Sequence, residues 1–391
     1  MGVNEPPDSV VDVIVIGGGC IGLACATALA QRGLSVTLLE RGLPGAANST
    51  RTGGGRRKQF GTVLNIRLSQ LSSAVWENFA EIYGVDPMFR QIGYLFLAHS
   101  DEQAAVLRRN VTLQVGLGVA SEYLDGDDIR RRWPSLAGRG FTAASFCADD
   151  GWANHHCILH GLTNGARAAG VDLRIGTEAL ALNINPSQVV GVKTTAGAIS
   201  AGSVLVATGP WTSALLGPVG AQPPVAAHRH ELLIVEPSVP LPEGLPWLIG
   251  MDDEVHVRGD TPGRALVGGF LGEDHAVDPD DYQQRADGRW AQTVLQTAQR
   301  VFGVINSDAR IVRGWAGLYP STPDHHPIID RIMEGLYVAI GFSGTGLMHS
   351  PAAGLLAAEL IADGALRSVD ADLVSIRRFS NHNPTVETTS I

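Results

Sequence analysis

The sequence predicts an α/β fold in which one nucleotide-binding sheet is assembled from distant segments and a β-sheet-rich domain is inserted between them. Three observations predict it. Residues 13–40 read as a strand, a glycine-rich turn, a helix and a second strand. Apolar strands that end in glycine recur at residues 204–209 and 336–341. Several short apolar or alternating runs between these segments are typical of a second sheet.

The opening stretch carries the fingerprint of a Rossmann-type dinucleotide site. Gly17, Gly19 and Gly22 have the G-x-G-x-x-G spacing, which permits a tight turn, close approach of backbone to a pyrophosphate, and close helix–strand packing. Residues 21–31 are predicted to form a helix whose N-terminus faces the phosphates. Glu40 ends the second strand, where a carboxylate accepts from ribose hydroxyls and repels a 2′-phosphate. These residues therefore predict FAD or NAD and disfavour NADP.

The composition fits a folded enzyme and excludes several other classes of protein. The 391 residues are 45% hydrophobic and only 17% charged, which is typical of a chain that buries a full core. The net charge of -10 argues against nucleic acid as a partner. No run reaches the ~18 apolar residues of a membrane span, and the N-terminus lacks the basic region of a signal peptide. We therefore expect a cytoplasmic enzyme.

Neither the cysteines nor the histidines have the spacing of a metal site. The cysteines at positions 20, 25, 147 and 157 are interpreted as free thiols in a reducing compartment. His156 and His160 lie four residues apart on a predicted helix, but no carboxylate or cysteine completes a ligand set. We therefore predict that the protein binds no metal.

The rest of the chain alternates helical and strand patterns. A segment rich in glycine and arginine at residues 42–60 is predicted to press its backbone against a ligand. Ser100 and Gln103 form a capping box at the start of a helix. The other predicted helices are residues 65–83, 155–170, 290–302 and 350–363. The predicted strands are residues 92–98, 171–175, 189–194, 199–208, 229–235, 254–258, 265–270 and 335–341.

Six motifs, taken in order, resemble those of one known family. They are the glycine-rich turn with Glu40, Ser-Thr-Arg-Thr-Gly-Gly-Gly-Arg-Arg at 49–57, Asp-Gly-Trp-Ala-Asn at 150–154, Val-Ala-Thr-Gly-Pro-Trp at 206–211, Trp-Ala-Gly-Leu-Tyr-Pro-Ser-Thr-Pro-Asp at 315–324, and Gly-Phe-Ser-Gly-Thr-Gly-Leu-Met-His-Ser-Pro at 341–351. The chain resembles the FAD-dependent amine and amino-acid oxidoreductases of the D-amino-acid oxidase superfamily. Within it, the sarcosine oxidase, glycine oxidase and proline dehydrogenase β-subunit branch is most similar.

The resemblance implies FAD, held by a split Rossmann-type FAD-binding domain with an inserted β-sheet-rich substrate domain. The FAD-binding domain would comprise residues 10–84, 145–220 and 311–380, and the substrate-binding domain residues 85–144 and 221–310. A helix beginning at Ser350 and Pro351 would bring its positive end to the flavin pyrimidine. The cofactor-binding residues that the resemblance implies are Gly17, Gly19, Cys20, Ile21, Gly22, Glu40, Arg41, Ser49, Thr50, Gly55, Ala179, Thr208, Gly209, Trp211, Gly344, Gly346, Leu347 and Met348.

The same resemblance implies a substrate site. Arg57 matches the family's substrate-carboxylate arginine, and a guanidinium suits a carboxylate; the alternative is a surface or phosphate-pairing arginine. Tyr319 matches a substrate-side tyrosine, and a core tyrosine is the alternative. His256 stands where the family often has tyrosine, and a structural histidine is the alternative. Met348 replaces a carboxylate-binding lysine, which indicates a more apolar substrate end or carboxylate binding by Arg57 alone.

Two further departures from the family concern the flavin linkage and the oxidant. Gly317 stands where monomeric sarcosine oxidases attach flavin through a cysteine, so we predict non-covalent FAD. The strand at 265–270 lacks the family's oxygen-activating lysine. Of the two lysines in the chain, only Lys58 is expected near the flavin, where a positive charge would stabilise developing superoxide. Oxygen and an electron-transfer carrier therefore both stay open as electron acceptors.

The sequence thus predicts FAD-dependent oxidation of the C–N bond of a secondary or N-substituted amino acid, similar to sarcosine, glycine or proline. A hydride would pass to flavin N5 and the imine product would be hydrolysed. Two alternatives stay open: an FAD-dependent 2-hydroxy-acid dehydrogenase, and the flavin-bearing subunit of a hetero-oligomeric amine dehydrogenase. An NAD-dependent dehydrogenase is less favoured, because residues 341–351 have no role in it. A homo-oligomer and a hetero-oligomer are both compatible with the sequence.

Overall fold

The chain folds into two large β-sheets and a small third one. A computed structural model describes residues 10–272, 275–381 and 385–389. The strands of these residues are β1 (Val11–Ile16), β2 (Val36–Glu40), β3 (Gly55–Arg56), β4 (Arg90–Gln91), β5 (Tyr94–Ala98), β6 (Ser121–Asp125), β7 (Ala143–Cys147), β8 (Gly151–Trp152), β9 (Asp172–Ile175), β10 (Ala179–Asn185), β11 (Gln188–Thr194), β12 (Gly197–Val206), β13 (Ala226–Glu236), β14 (Trp247–Gly250), β15 (Val255–Gly259), β16 (Ala265–Gly269), β17 (Arg310–Ser321), β18 (Ile328–Met333) and β19 (Leu336–Ile340).

The helices are numbered in the same way. They are α1 (Cys20–Gln31), α2 (Val63–Glu77), α3 (Phe79–Tyr83), α4 (Asp101–Gly116), α5 (Gly126–Arg132), α6 (His155–Ala168), α7 (Thr212–Leu216), α8 (Gly288–Phe302), α9 (Gly346–Ile361) and α10 (Ala371–Val374). Short 3-10 turns occur at Pro134–Leu136, Gly209–Trp211, Gly217–Val219 and Ile376–Asn381.

The first sheet is the predicted nucleotide-binding sheet. Its central order is β9-β2-β1-β12-β19, and each neighbouring pair in this order is parallel. β10, β11 and the first half of β12 extend it as antiparallel strands, and β18 pairs antiparallel with β19. α1, α6 and α9 pack together over one face of this sheet, and a second cluster of buried apolar side chains lies on the other face, so the strands are apolar on both faces. Segments from three distant parts of the chain thus build one sheet, as predicted.

The second sheet forms the inserted domain. Its order is β17-β13-β16-β15-β14-β5-β7-β6, antiparallel throughout except between β14 and β5. α8 packs its apolar face, with Val294, Leu295 and Phe302, onto this sheet. Asp287 caps α8 by accepting from two backbone N–H groups of its first turn, at 2.9 Å each.

A third sheet of three short strands fixes the segment that precedes Arg57. β3 and β4 both pair antiparallel with β8. Asp150, immediately before β8, accepts from the backbone N–H of Lys58 at 2.7 Å and from Gln59 Nε2 at 3.0 Å. These bonds fix Lys58 and Gln59 next to β8, and Gln59 Nε2 also donates to the Tyr94 carbonyl oxygen on β5 at 3.0 Å.

Several element boundaries differ from the sequence-based predictions. The predicted helix 65–83 is broken at Asn78, whose side-chain amide donates to the carbonyl oxygen of Ala74 (2.8 Å) and competes with main-chain bonding. The capping box is confirmed, since Ser100 Oγ accepts from the Gln103 backbone N–H at 3.2 Å. β17 pairs with β13 in the second sheet, although residues 311–321 belong to the expected FAD-binding segment 311–380. β7 likewise crosses the expected boundary at residue 145. The remaining domain division stays a proposal.

Candidate active site

A cavity of about 370 Å³ lies at the carboxyl ends of the parallel strands. Ile16, Glu40, Ala207 and Ile340, which end or follow β1, β2, β12 and β19, all line it. Open α/β sheets bind nucleotides at this edge, where the strand order changes direction. We call it the nucleotide cavity.

The glycine-rich turn has the close packing that its spacing predicts. Gly17 has a φ of +109°, and a Cβ there would lie 2.5 Å from the carbonyl oxygen of Ala207. A Cβ on Gly22 would lie only 1.8 Å from the carbonyl oxygen of Gly17. Gly22 therefore does not line the cavity; it lets α1 approach β1 closely enough for the turn to form.

The N-terminus of α1 points into the nucleotide cavity. Gly19, Cys20 and Ile21 line the cavity, and α1 begins at Cys20, one residue before the predicted start. Ser49 Oγ accepts from the Cys20 backbone N–H at 3.2 Å, which ties the loop after β2 to this helix end. The unpaired N–H groups and the positive dipole end form an anion site suited to a pyrophosphate.

Glu40 is fixed by the backbone around it. Its Oε2 accepts from the Gly18 N–H and its Oε1 from the Gly42 N–H, both at 2.7 Å. Each oxygen keeps a lone pair, so the carboxylate still has acceptors for ribose hydroxyls. The Arg41 guanidinium lies 4.5 Å from the ring centre of Trp211, and both residues line the same part of the cavity.

Most of the predicted cofactor residues meet in the nucleotide cavity. Those that line it are Gly17, Gly19, Cys20, Ile21, Glu40, Arg41, Ser49, Ala179, Thr208, Gly209, Trp211, Gly344, Gly346 and Leu347. Thr50 does not, because its exposed hydroxyl donates to the carbonyl oxygens of Ala46 and Ala47 at 3.3 Å. Gly55 and Met348 line a neighbouring cavity instead. A helix N-terminus, a fixed carboxylate and close-packed glycines together fit a dinucleotide.

The helix that follows the Gly-rich segment 341–346 begins earlier than predicted. α9 starts at Gly346, so the prediction of a start at Ser350 and Pro351 was wrong, and Pro351 lies inside the helix. Pro351 has no N–H for the carbonyl oxygen of Leu347. The Ser350 hydroxyl donates to that oxygen at 2.9 Å instead. The helix therefore tolerates its proline, and its N-terminal residues Gly346 and Leu347 reach the nucleotide cavity.

A second, smaller cavity of about 60 Å³ adjoins the first. Tyr319, Gly344 and Leu347 line both cavities and form the wall between them. We call the smaller one the inner cavity. Four of the five predicted catalytic residues line it, namely Arg57, Tyr319, His256 and Met348, and the structure adds Tyr94 and Trp247.

Arg57 is a buried guanidinium surrounded by neutral groups. Its Nη1 donates to the carbonyl oxygen of Gln59 and, at 3.2 Å, to Thr389 Oγ1, while its Nη2 donates to the Thr389 carbonyl oxygen at 2.5 Å. The guanidinium lies 4.0 Å from the ring centre of Phe60 and 5.3 Å from that of Phe96. Burial lowers the pKa of Arg57, an effect that the charge of Glu387 opposes.

Tyr319 stands where the cavities meet. Its ring packs on Gly344, where a Cβ would lie 2.3 Å from a ring carbon. Its ring centre is 4.3 Å from that of His230. Burial raises the pKa of Tyr319 above its usual value, although the charge of Arg57 partly counters this. The hydroxyl therefore stays protonated at neutral pH and serves as a hydrogen-bond donor or acceptor.

His256 is a neutral histidine. Burial, together with the smaller effect of the Arg258 charge, lowers its pKa to about 3. Its Nδ1 accepts from the Trp247 indole N–H at 3.3 Å, so the ring proton is assigned to Nε2. A neutral imidazole with its acceptor nitrogen occupied cannot remove a proton from a substrate.

Lys58 is the one predicted catalytic residue that does not line the inner cavity. Its Nζ lies 3.7 Å from Asp149 Oδ2, and it lines another small cavity, to which Arg57 and Met348 also contribute. No lysine lines the inner or the nucleotide cavity in the described part of the chain.

Tyr94 and Trp247 are site residues that the sequence analysis missed. They lie on the neighbouring parallel strands β5 and β14, their ring centres 4.7 Å apart. A Cβ on Gly55 would lie 2.3 Å from the Tyr94 hydroxyl oxygen, so Gly55 is required here for close packing. Both aromatics sit in apolar runs whose pattern indicates only a buried strand, and no sequence signal separates them from core residues.

The described residues contain no group of three or more histidine, cysteine or acidic side chains that could hold a metal ion. Cys20, Cys25, Cys147 and Cys157 are free cysteines. None of the helices in these residues is long and apolar enough to cross a membrane.

Comparison with known proteins places the chain in a family. Residues 12–360 match the DAO family, described as FAD dependent oxidoreductase. Glycine oxidase of Geobacillus kaustophilus is 28% identical over 359 residues, which cover 90% of this chain and 92% of that protein. Sarcosine oxidase subunit beta of Rhizobium meliloti is 28% identical over 365 residues, covering 90% and 85%.

The solved structures agree. The crystal structure of L-proline dehydrogenase from P. horikoshii superposes with a TM-score of 0.87 at 29% identity, covering 97% of this chain and all of that one. Its similarity spans both large sheets, so the whole architecture, and not only the nucleotide-binding sheet, is shared. The chain is therefore an enzyme with FAD as its cofactor, and it belongs to the DAO family of FAD-dependent oxidoreductases.

Proposed function

We propose that this enzyme acts on CH–NH donors and oxidises the C–N bond of a secondary or N-substituted amino acid similar to sarcosine or proline. Arg57 carries the proposal. It is a buried guanidinium that lines the inner cavity, and no carboxylate of the described residues lies within 4.0 Å of it. A buried cation with neutral partners is suited to a carboxylate ligand. The similarity to glycine oxidase, sarcosine oxidase subunit beta and L-proline dehydrogenase supports an amino-acid substrate.

The residues of the inner cavity would bind and orient such a substrate. Arg57 would hold the carboxylate, and the α-carbon and nitrogen would extend toward the wall shared with the nucleotide cavity. FAD, when bound in the nucleotide cavity, would supply the hydride acceptor. Tyr94, Trp247 and Met348 exclude water from the space between. The protein contributes to this chemistry by orienting the substrate and by excluding water from the site.

The inner cavity also selects the protonation state of the amine. The cationic Arg57 disfavours a second positive charge nearby, and neither His256 nor Tyr319 is a base at neutral pH. We therefore infer that the substrate binds as the neutral amine. Its lone pair is then available to support hydride loss from the adjacent carbon.

Four finer properties belong to this proposal: the flavin linkage, the assembly, the location and the electron acceptor. Gly317 lines the nucleotide cavity and offers no side chain to the flavin, which supports non-covalent FAD.

The similarity to a protein named subunit beta supports assembly with a partner chain. Comparing the size of complexes from the native source with the size of the chain expressed alone tests this assembly. A cytoplasmic location stays a prediction. Oxygen and a carrier protein both stay open as electron acceptors.

Substitution of Arg57 tests the proposed function. Arg57→Met removes the carboxylate partner and should raise KM for the amino acid by roughly 100-fold, the usual effect of losing a buried charged pair. Arg57→Lys keeps the positive charge but loses the bidentate hydrogen-bond geometry of the guanidinium. Its KM should therefore lie between those of wild type and Arg57→Met. Arg56→Met is the matched control, because Arg56 stacks on Phe89 at 4.6 Å and does not line the inner cavity. Equal KM values for Arg57→Met and Arg56→Met would contradict the proposal.

A further inference from the structure

A segment near the C-terminus accepts hydrogen bonds from Arg57, the arginine proposed to bind the substrate carboxylate. Residues 385–389 form what we call the strap. The Thr389 hydroxyl and carbonyl oxygens accept from Arg57 Nη1 and Nη2, at 3.2 and 2.5 Å. Both are neutral oxygens, and they occupy the two terminal nitrogens that a carboxylate would use for a bidentate pair.

Hydrogen bonds to the carboxylate of Glu387 hold the strap in place. Glu387 is buried, and its carboxylate accepts from the Gly61 backbone N–H at 2.6 Å, from Thr62 Oγ1 at 2.8 Å and from Asn65 Nδ2 at 3.0 Å. The same carboxylate accepts from the Thr389 backbone N–H at 3.0 Å and from its hydroxyl at 2.7 Å. Glu387 thus orients Thr389 toward Arg57.

The strap also separates two cavities. An outer cavity of about 480 Å³ is lined by Thr388 and Thr389 on one side and by Phe270 and Trp290 among others. Arg57 lines the inner cavity and is not part of the outer one. Thr389 therefore lies between the outer cavity and the guanidinium.

We propose that Thr389 is an internal competitor for Arg57, which a substrate carboxylate must displace, so that the strap determines the enzyme's affinity for carboxylates. This inference rests on the proposed function, because it takes Arg57 as the carboxylate site. Without substrate, the strap satisfies donors of a buried guanidinium whose other partner is the Gln59 carbonyl oxygen. A carboxylate forms stronger, charge-assisted bonds with the same donors and displaces the neutral oxygens.

The competition has a measurable consequence. When a site is occupied by an internal group, the apparent dissociation constant is the intrinsic one divided by the fraction of molecules in which the site is free. Releasing the strap must therefore tighten carboxylate binding, whereas an ordinary structural segment would weaken it when removed. The sign of the change distinguishes the two roles.

The test uses the FAD-loaded enzyme, with acetate as the carboxylate and acetamide as its uncharged counterpart, followed through the flavin absorbance. Deletion of residues 389–391, which removes Thr389 and keeps the charge of Glu387, should lower the dissociation constant for acetate by ~10-fold, the effect of one charged hydrogen bond. Thr389→Val, which removes only the hydroxyl partner, should lower it a few-fold and guards against a deletion variant that fails to fold. Val386→Ala is the matched control, because that side chain is exposed on the same segment.

Hydrogen exchange gives a second readout. Saturating acetate should speed exchange in peptides containing Gly61, whose N–H is bonded to Glu387, and in residues 385–389. Unchanged or weaker acetate binding in both strap variants, or slower exchange in these peptides, would overturn the proposal. Failure of the proposed function looks different: acetate would then bind wild type and Arg57→Met equally well, whatever the strap does.

Discussion

Single side chains in the inner cavity have their protonation states set by burial. Burial lowers the pKa of His256 to about 3 and raises that of Tyr319, so neither group titrates near neutral pH. Below pH 6.5 an exposed histidine would gain a proton, but His256 stays neutral until far lower pH. Asp150, whose pKa burial raises to about 6, titrates below pH 7. Beside Arg57, His256 and Tyr319, the group expected to change charge between pH 7 and 9 is then the substrate amine.

We expect kcat/KM to rise with pH along a single limb, because only the neutral amine binds beside Arg57. The midpoint should follow the pKa of the free substrate amine when substrates of different basicity are compared. His256→Asn and Tyr319→Phe should lower the rate without moving this midpoint. A midpoint that stays constant across substrates, or that disappears with either variant, would contradict this prediction. It would show that the pH dependence of kcat/KM comes from a group of the enzyme and not from the substrate amine.

Residue roles were predictable only where a motif fixed the chain around them. Glu40 and Arg57 could be placed because their neighbours, the glycine-rich turn and residues 49–57, carry recognisable spacing. Tyr94 and Trp247 could not, because their role depends on β5 pairing with β14 across a long stretch of chain. Lys58 was expected near the flavin, but its side chain turns toward Asp149.

At the scale of elements, the start of α9 depends on one serine. The Ser350 hydroxyl bonds the Leu347 carbonyl oxygen that Pro351 leaves without an N–H partner. Ser350→Ala should lower the free energy of unfolding by about 1–3 kcal/mol, since it leaves a buried carbonyl oxygen unsatisfied. Pro351→Ala restores a backbone N–H that can bond the Leu347 carbonyl oxygen. Ser350→Ala should therefore lower the free energy of unfolding by less in the Pro351→Ala protein than in wild type.

Denaturant unfolding of the four proteins in this double-mutant cycle measures the coupling. We expect a coupling of about 1 kcal/mol between positions 350 and 351. Additive effects would show that the serine does not compensate for the proline. The sequence analysis placed Pro351 at the helix start because that is its commonest position, and the serine compensation could not be read without the structure.

The α1 turn gives a second prediction for an element. Gly22→Ala would put a Cβ 1.8 Å from a backbone oxygen, so α1 must move away from β1. The helix N-terminus would then lose its position against the pyrophosphate, and the purified protein should retain less than about a tenth of the normal FAD. Gly217→Ala is the matched control, because no atom lies within 4 Å of a Cβ there. Normal flavin content in Gly22→Ala would contradict the assignment of this turn.

At the scale of the molecule, the two-sheet plan was predictable and the sharing of strands was not. The recurrence of apolar strands ending in glycine indicated one sheet built from distant segments, and the parallel order β9-β2-β1-β12-β19 confirms it. Residues 310–321 carried no strand prediction; they form β17, which pairs with β13. Its pattern of apolar residues suits either sheet, because local patterns set strand character and long-range contacts choose the partner.

The central claim is that this enzyme oxidises amino-acid C–N bonds with FAD. The most direct test is the anaerobic absorbance spectrum of the purified protein, recorded before and after adding sarcosine, glycine, L-proline, D-proline or a larger N-alkyl amino acid. We expect a flavin band near roughly 450 nm that at least one of these amines bleaches, while 2-hydroxy acids leave it unchanged. A band bleached by a 2-hydroxy acid and by none of the amines would contradict the account.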